Sequence, residues 1–299
     1  MTRILLLKGA KSNKDSEAYE LTQLLSEHTK SDVELVSYFE LTFIISDDEQ
    51  DIIMPSGDSI ASYDVVYLRD FQNCEYERNA CALFLQAKNI PFRDNDVINH
   101  QHISKLTQYF ALAQSGVPIP YSIFGCLSVV EGEIKKAFGF PFIAKSITGK
   151  NGGDNFLIRN PEQLEEKKDI INSDKFVFQE FIENDRDYRV VVIGNQVGGV
   201  YERKRLAESD SHVNNVAAGG AISVSTDHGD LVESTALRAA KAAGREITGV
   251  DVMASLDSSR TLVLEVNANY AVKGSRNTDS TDIILLAKYL DGVAGVTEQ

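Results

Sequence analysis

The most informative segment of the chain is GVDVMASLDSSRTLVLEVNANYAVKG, residues 249–274. Two runs of strand-forming residues flank a polar turn at 256–260, a pattern typical of a β-hairpin. If the hairpin is centred on Ser258, Asp251 lies directly opposite Glu265, about 5 Å away on one face. Asn267 is two residues beyond Glu265 and therefore points to the same face. The sequence predicts two carboxylates and an amide at one end of a sheet.

These three side chains have a specific chemical consequence. Two carboxylates held that close repel each other, and one must take up a proton unless a cation lies between them. Oxygen ligands of this kind suit Mg²⁺, which proteins hold through one or two carboxylates together with substrate phosphates. Solvated acids on an exposed hairpin are the alternative. Apolar neighbours such as Val250 and Val266 favour coordination, because unpaired acids among apolar residues are costly. We therefore predict a magnesium site in an enzyme that uses a nucleotide.

The composition narrows the class of protein. The chain has 299 residues, a length typical of about two domains. Its formal net charge of −14 disfavours nucleic acid and an anionic membrane surface as partners. The apolar run at 4–7 meets Lys8 at once, so we interpret it as a strand and not as a secretion signal. Cys74, Cys81 and Cys126 match no metal-binding spacing and indicate reduced thiols in a cytoplasmic protein.

The order of predicted elements divides the chain into three units. Strands and helices alternate over residues 1–98, which predicts a parallel sheet covered by helices on both faces. No GxGxxG follows the first strand, so a dinucleotide-binding fold is not supported. Residues 99–182 and 183–299 form two further units that mix strands and helices. The chain as a whole is predicted to be an α/β (α+β) protein.

Lys145 marks a candidate phosphate site. It ends the apolar strand PFIAK, where an unpaired ammonium would be unusual. The polar loop that follows, residues 146–155, carries three glycines and can wrap phosphates with its backbone N–H groups. It lacks the spacing of a Walker loop, and a flexible hairpin turn is the alternative for the loop alone. Together with Lys145, the loop favours a phosphate ligand.

Several other charged side chains allow two interpretations. Glu180 and Glu183, in FVFQEFIEN, are either surface charges or partners of an adenine amino group and ribose hydroxyls. Arg189 lies early on one strand of a predicted hairpin, and a basic run that begins at Arg203 ends the other. These cations either pair with surface acids or stabilise charge on a transferring phosphoryl group, to which a planar guanidinium is suited.

Taken together, these segments resemble the ATP-grasp superfamily and, within it, the RimK-type carboxylate–amine (glutamate) ligases. The motifs that carry the resemblance are PFIAK with its glycine-rich loop, FVFQEFI, the D-x-R of residues 187–189, VYERKR, NNVAAGGAISV, GVDVM and LEVNAN. The last two together are quite specific. The resemblance covers roughly residues 99–292. It implies an ATP-grasp fold in which an N-terminal α/β domain precedes two α+β subdomains that enclose the nucleotide.

The resemblance also implies roles for individual residues. The candidate nucleotide-binding residues are Lys105, Lys145, Glu180, Phe181, Glu183, Asp187 and Asn215. Asp251, Glu265 and Asn267 match the ligands of Mg²⁺ (or Mn²⁺), in agreement with the hairpin geometry. Arg203 and Arg189 are the candidate catalytic residues, with Arg203 supporting the charge that develops during phosphoryl transfer.

The chemistry that the resemblance implies has two steps. ATP phosphorylates a substrate carboxylate, which yields an acylphosphate and ADP, and an amine then attacks the acyl carbon while phosphate leaves. The glycine-rich loop would act as a lid that protects the acylphosphate from water. The implied partners are ATP and the carboxylate and amine substrates, which are amino acids or peptides. A homo-oligomer would be compatible with the family.

Two departures from the family pattern bear on the substrate. Val213 and Ala218 stand where basic residues are expected, which puts transfer of glutamate in doubt. Asn269 and Tyr270 replace a common Ser-Pro, and Tyr270 with Lys273 is a candidate to shape the substrate pocket. Two alternatives to a small-molecule ligase remain. They are a ligase that crosslinks side chains of a precursor peptide, and a nucleotide-binding module without catalytic activity.

Overall fold

Helices and strands follow one another along most of the chain. The computed structural model describes residues 2–9, 17–69, 74–94, 104–147, 155–172, 176–204, 221–256, 260–268, 270 and 280–295. The strands are β1 (Arg3–Lys8), β2 (Asp32–Ser37), β3 (Thr42–Ile45), β4 (Gln50–Ile53), β5 (Val65–Leu68), β6 (Phe92–Arg93), β7 (Ser122–Phe124), β8 (Phe142–Ser146), β9 (Asn155–Ile158), β10 (Phe176–Glu180), β11 (Arg186–Ile193), β12 (Gln196–Lys204), β13 (Ala221–Val224), β14 (Ile247–Ala254) and β15 (Thr261–Asn267). The helices are α1 (Glu17–His28), α2 (Glu75–Ala87), α3 (Lys105–Gln114), α4 (Leu127–Ala137), α5 (Pro161–Ile171), α6 (Asp230–Ala242) and α7 (Thr281–Val293).

The first sheet is parallel, as the alternation of strands and helices predicts. Its order is β2-β1-β5-β6, and each neighbouring pair is parallel. Side chains of β1 alternate between two cores: Leu6 packs with α1 and α7, and Leu7 packs with α2. A small hairpin, β3 with β4, adds to the second of these cores. Its strands are short and partly exposed, so their hydrophobic pattern is weak.

The second sheet is antiparallel and has the order β7-β10-β8-β9. Helices α4 and α5 bury their apolar residues against one of its faces, around Phe142 and Phe178. Because neighbours across paired strands share a face, Lys145 lies beside Val177 and Ile143 lies beside Gln179 on the opposite face. That second face is turned toward the candidate site.

The third sheet has five antiparallel strands in the order β13-β12-β11-β14-β15. Val190 and Val192 of β11 pack with α6 on one face, whereas Val191 and Ile193 pack with α7 on the other. Helix α7 is shared with the first sheet, where it contacts α1. This shared core joins the N-terminal part of the chain to the third sheet.

Helix α3 is bound to the outer edge of the third sheet. Tyr109 and Leu112 belong to the same core as α6 and β14. Gln108 bonds the backbone of Val266 on β15, and the Tyr109 hydroxyl donates to the carbonyl of Leu264 at 3.1 Å. α3 therefore contacts the sheet of the predicted 183–299 unit, although it lies in the predicted 99–182 unit. Those unit boundaries stay a prediction.

None of the helices in the described ranges is long and apolar enough to span a bilayer.

Candidate active site

The β14–β15 hairpin has the predicted register over Gly249, Val250 and Asp251, and Asp251 pairs with Glu265. A shift of one residue after Asp251 pairs Val252 with Val263, which departs from the prediction. Asn267 lies opposite Gly249, and its Nδ2 reaches Oδ2 of Asp251 at 3.3 Å. The structure therefore brings the two carboxylates and the amide to one face of the hairpin, and their role as metal ligands stays a prediction.

Strands β11 and β12 bring two arginines to this face. Arg189 on β11 is directly across from Asp251 on β14, and Arg203 on β12 is directly across from Asp187 on β11. Since residues two apart on a strand share a face, Asp187 and Arg189 both point toward Asp251. The sheet thus places two predicted catalytic arginines beside a predicted metal ligand.

The contacts within this group are short and charged. Arg189 binds Asp251 through Nε at 2.5 Å and through Nη2 at 3.1 Å. Arg203 bridges two carboxylates, with its Nε 2.5 Å from Asp187 and its Nη2 3.1 Å from Asp251. Asp187, Arg203 and Asp251 are all buried, which strengthens these interactions relative to water.

Burial and neighbouring charge act in opposite directions on the two aspartates. Burial raises the pKa of Asp251, but Arg189 and Arg203 outweigh it and hold the pKa below its usual value. For Asp187, burial prevails over the attraction of Arg203, the charge of Asp251 adds to it, and the pKa is raised. Because both aspartates contact Arg203 and act on each other, their protonation is linked.

Two lysines complete the charged group. Lys105, the first residue of α3, lies 3.0 Å from Glu265. Lys145 reaches the Tyr109 hydroxyl at 3.3 Å and the Leu264 carbonyl at 3.4 Å. Burial opposes the charge of Lys145, but Tyr109, Glu265 and Asp251 raise its pKa above the usual value, so the ammonium stays protonated.

The described part of this site carries an excess of positive charge. The cations are Lys105, Lys145, Arg189 and Arg203, and the carboxylates are Asp187, Asp251 and Glu265. Four cations thus face three carboxylates in a chain whose formal net charge is −14. Such local concentration of positive charge suits an anionic ligand such as a polyphosphate.

A cleft of about 120 Å³ opens beside this group. Its lining residues are Pro120, Ile143, Lys145, Asn155, Gln179, Glu180, Phe181, Ile182, Asn184, Asp187, Met253 and Leu264. It lies between the second and third sheets, and apolar and polar residues contribute equally to its lining, Lys145 and Asp187 among the charged ones. A concave site that combines apolar surface with placed polar groups is typical of small-molecule binding.

The predicted adenine-contacting residues lie at this cleft, but Glu180 is engaged elsewhere. Its carboxylate binds Arg260 through two hydrogen bonds, of 2.7 and 3.2 Å, and accepts the backbone N–H of Tyr121 at 2.9 Å. Arg260 thereby lowers the pKa of Glu180. Phe181 lines the cleft, whereas Glu183 has an exposed side chain and a backbone carbonyl bonded to Leu256.

Other predictions lie outside the described residues. These are Asn215, the departures Val213 and Ala218, residues 148–154 of the glycine-rich loop, Asn269 and Lys273. Tyr270 is described: it is fully buried and lies against Gly249, beside Arg189.

Three residues of the site were not predicted from sequence. Tyr109 lies one helical turn after Lys105 on α3, and that spacing was a usable signal because such residues share a helix face. Gln179 shares the sheet face of Lys145, as the alternation of FVFQE indicates. Arg260 follows the hairpin turn, and nothing in its local sequence indicates Glu180 as its partner.

The predicted metal ligands suit a divalent cation by the chemistry of their side chains, because each carries at least one oxygen atom. Each carboxylate is contacted by a cationic side chain, and Asn267 turns its Nδ2 toward Asp251. In the described ranges no group of three His, Cys, Asp or Glu side chains is placed to hold a metal. The predicted set is not a group of that kind, because its third member is the amide of Asn267. Hard oxygen donors beside the protonated Lys145 are compatible with Mg²⁺ bound together with an anionic ligand.

Comparison with known proteins identifies the family. The model of the RimK-like ATP-grasp domain matches residues 104–290. A probable alpha-L-glutamate ligase from Cellvibrio japonicus is 28% identical over 194 residues, which cover 62% of each chain. The glutamate–LysW ligase ArgX from Sulfolobus acidocaldarius is 28% identical over 209 residues, 67% of this chain and 72% of that one.

Solved structures share the fold along nearly the whole chain. The ATP-grasp ligase PsnB, solved with precursor peptide PsnA2 and AMPPNP, superposes with a TM-score of 0.73 at 20% identity, and 98% of each chain is covered. The D-alanine–D-alanine ligase from Bacillus anthracis gives a TM-score of 0.65 at 15% identity, with 99% and 97% of the two chains covered.

The fold and the site thus define an ATP-grasp protein. The chain belongs to the RimK-like ATP-grasp family, in which the relatives above are named ligases. The predicted family and the predicted fold class are confirmed. The match to the Cellvibrio relative spans 62% of that protein, less than two thirds of its length.

Proposed function

We propose that the protein is an ADP-forming ligase that joins a carboxylate to an amine at the expense of ATP. The observation that carries this proposal is the convergence of Lys145, Arg189 and Arg203 with Asp251 and Glu265, beside a cleft that Lys145 lines. Cations that bind phosphate oxygens and acids that bind a metal are the two components that phosphoryl transfer requires.

The cleft residues orient the nucleotide in this proposal. The base lies between the second and third sheets against Ile143, Phe181 and Met253, which exclude water. Lys145 then meets the phosphates beside the charged group, where its contacts with Tyr109 and the Leu264 carbonyl hold its ammonium in place. Lys105 supports the same group through Glu265.

Asp251, Glu265 and Asn267 are the proposed ligands of Mg²⁺. When bound, the ion neutralises phosphate charge and orients the γ-phosphoryl group. The substrate carboxylate attacks the γ-phosphorus, and the bond to the ADP oxygen breaks. Arg203, held between Asp187 and Asp251, donates its N–H groups to the oxygens that gain charge.

The second step forms the amide. The amine nitrogen attacks the acyl carbon of the acylphosphate, the carbon–oxygen bond to phosphate breaks, and the nitrogen loses its proton. Arg189 is placed to bind the departing phosphate or the substrate carboxylate, because its planar guanidinium forms two parallel hydrogen bonds to such groups.

Two kinds of substrate are compatible with this site. The glutamate ligases among the relatives support an amino acid added to an amine acceptor. The structure of PsnB, which shares the fold and holds a precursor peptide, supports a peptide substrate as a second candidate. A cytoplasmic location and a homo-oligomeric assembly stay predictions.

ADP release measured with ATP, Mg²⁺ and pools of amino acids and peptides tests the proposal. Mass spectrometry of the same mixtures would reveal a product that equals the two substrates minus water. ADP together with such a product supports the ligase and names its substrates. Nucleotide binding without ADP in every pool would favour the non-catalytic module, and absence of nucleotide binding would overturn the proposal.

A further inference from the structure

Both oxygens of the Asp251 carboxylate are engaged by neighbouring donors. Oδ1 accepts a hydrogen bond from Nε of Arg189 at 2.5 Å, and Nη2 of Arg203 lies 3.1 Å from the same oxygen in an ion pair. Oδ2 accepts hydrogen bonds from Nη2 of Arg189 at 3.1 Å and from Nδ2 of Asn267 at 3.3 Å. Three of the about four lone-pair positions of an ionised carboxylate are therefore used by hydrogen bonds, and a guanidinium lies beside the fourth. A cation that binds both oxygens of Asp251 has to displace one of these donors.

We propose that Arg189 is the donor that withdraws, and that it acts as a resident counter-cation which keeps divalent ions off Asp251 until a nucleotide is bound. This inference rests on the proposed function, because it assumes that Asp251 is a metal ligand. It assigns Arg189 a positioning role: the arginine exchanges Asp251 for an anionic partner that arrives with the nucleotide or the carboxylate substrate.

The contacts distinguish Arg189 from Arg203. Arg203 is anchored to Asp187 through Nε at 2.5 Å and would keep that partner after leaving Asp251. Arg189 has Asp251 as its sole carboxylate partner among the residues that the structure describes. Its guanidinium can therefore leave as a unit once another anion is offered.

Gly249 gives Arg189 the space that this position needs. A Cβ at residue 249 would lie 2.7 Å from Cδ and 3.0 Å from Nη1 of Arg189. It would also lie 3.0 Å from the Cα of Tyr270. The absence of a side chain at 249 thus lets the guanidinium lie along β14 beside Asp251, between the hairpin and Tyr270.

Electrostatics makes the exchange depend on the nucleotide. A free divalent ion would have to approach the guanidinium groups of Arg189 and Arg203. It would also have to break the bidentate ion pair between Arg189 and Asp251. A polyphosphate brings enough negative charge to neutralise the ion and to supply new acceptors for Arg189. We therefore expect weak binding of the free ion and tight binding of its nucleotide complex.

Mn²⁺ binding, followed by electron paramagnetic resonance of the full chain, tests this inference without measuring turnover. Wild type should bind Mn²⁺ in the presence of AMPPNP. For free Mn²⁺, the Kd of wild type should be at least about tenfold higher than that of Arg189→Gln. Arg186→Gln is the matched control. It lies on the same strand but pairs with Asp185 and Glu202, so Mn²⁺ binding should not change.

The outcomes separate this inference from the proposed function. If wild type and Arg189→Gln bind free Mn²⁺ equally, Arg189 does not guard Asp251 and the inference fails. If wild type binds neither AMPPNP nor its Mn²⁺ complex, the proposed nucleotide site itself fails. If Arg189→Gln does not fold, Arg189→Lys replaces it in the test, because lysine keeps the charge but loses the bidentate contact. The inference then requires that Arg189→Lys bind free Mn²⁺ more tightly than wild type, with a smaller gain than that expected for Arg189→Gln.

Discussion

The side chain of Gln108 and the backbone of Val266 form two hydrogen bonds with each other. Gln108 donates from Nε2 to the Val266 carbonyl at 2.8 Å and accepts the Val266 N–H at 2.9 Å. The amide group thereby satisfies the outer edge of β15 as another strand would, and both partners are buried. This pairing holds α3, with Lys105 and Tyr109, next to the residues of β15 that form the site.

Replacing Gln108 should destabilise the protein and displace α3. Gln108→Leu leaves the N–H and carbonyl of Val266 buried without partners, which costs about 1–3 kcal/mol for each group. Thermal unfolding should show a clear loss of stability, whereas Gln114→Leu, at the exposed end of the same helix, should show almost none. Equal stability of the two variants would contradict a structural role for this pairing.

Glu265→Gln should abolish turnover while the fold stays intact. It removes a negative charge from the proposed metal site but conserves the shape of a half-buried side chain. ADP formation should fall at least about 100-fold, the upper end of the loss seen when partners of metal ligands are altered. Circular dichroism should be unchanged, and the exposed Glu166→Gln should behave as wild type. Normal turnover in Glu265→Gln would remove this residue from the metal site.

Lys145→Ala should weaken ATP binding. A hydrogen bond to a charged group contributes about 1.5–3 kcal/mol, so Kd for ATP should rise roughly 10- to 150-fold. Titration calorimetry would measure this change, with Lys136→Ala as the control because Lys136 is 80% exposed on α4. If both variants bind ATP like wild type, Lys145 does not contact phosphate.

The pair Glu180–Arg260 should make a small, acid-sensitive contribution to stability. Arg260 holds the pKa of Glu180 below the ordinary value of 4.5. Because the folded state has the lower pKa, the contribution is fully present above that value and is lost as pH falls through the folded-state pKa. Arg260→Gln should cost less than about 1 kcal/mol at neutral pH, since the pair is partly exposed. Denaturant titrations should show the difference from wild type narrowing in acid; a difference that widens there would exclude this assignment.

One cysteine in three should react in the native protein. Cys126 is exposed, whereas Cys74 and Cys81 are buried. Burial also raises the pKa of the Cys81 thiol, which keeps it protonated and unreactive. A thiol reagent should label Cys126 in the folded protein and all three residues after denaturation. Rapid native labelling of Cys81 would show that the core around α2 opens readily.

Much of the fold and the pairing at the centre of the charged group could be predicted from the sequence. The strand predicted at the apolar run 4–7 lies within β1, because a run of buried apolar residues is a local signal. The pairing of Asp251 with Glu265 also followed from sequence, since a short hairpin turn sets the register of its strands.

The partners of the charged side chains could not be predicted from the sequence, because they depend on which strands become neighbours. Arg189 and Asp251 are 62 residues apart in the chain, and their contact arises because β11 and β14 become neighbours in the third sheet. Glu180 lines the cleft and also forms an ion pair with Arg260, because the end of β10 lies beside the start of β15. Local periodicity determines the face on which a side chain lies. The partner on that face depends on strand order, which follows from how the whole core packs.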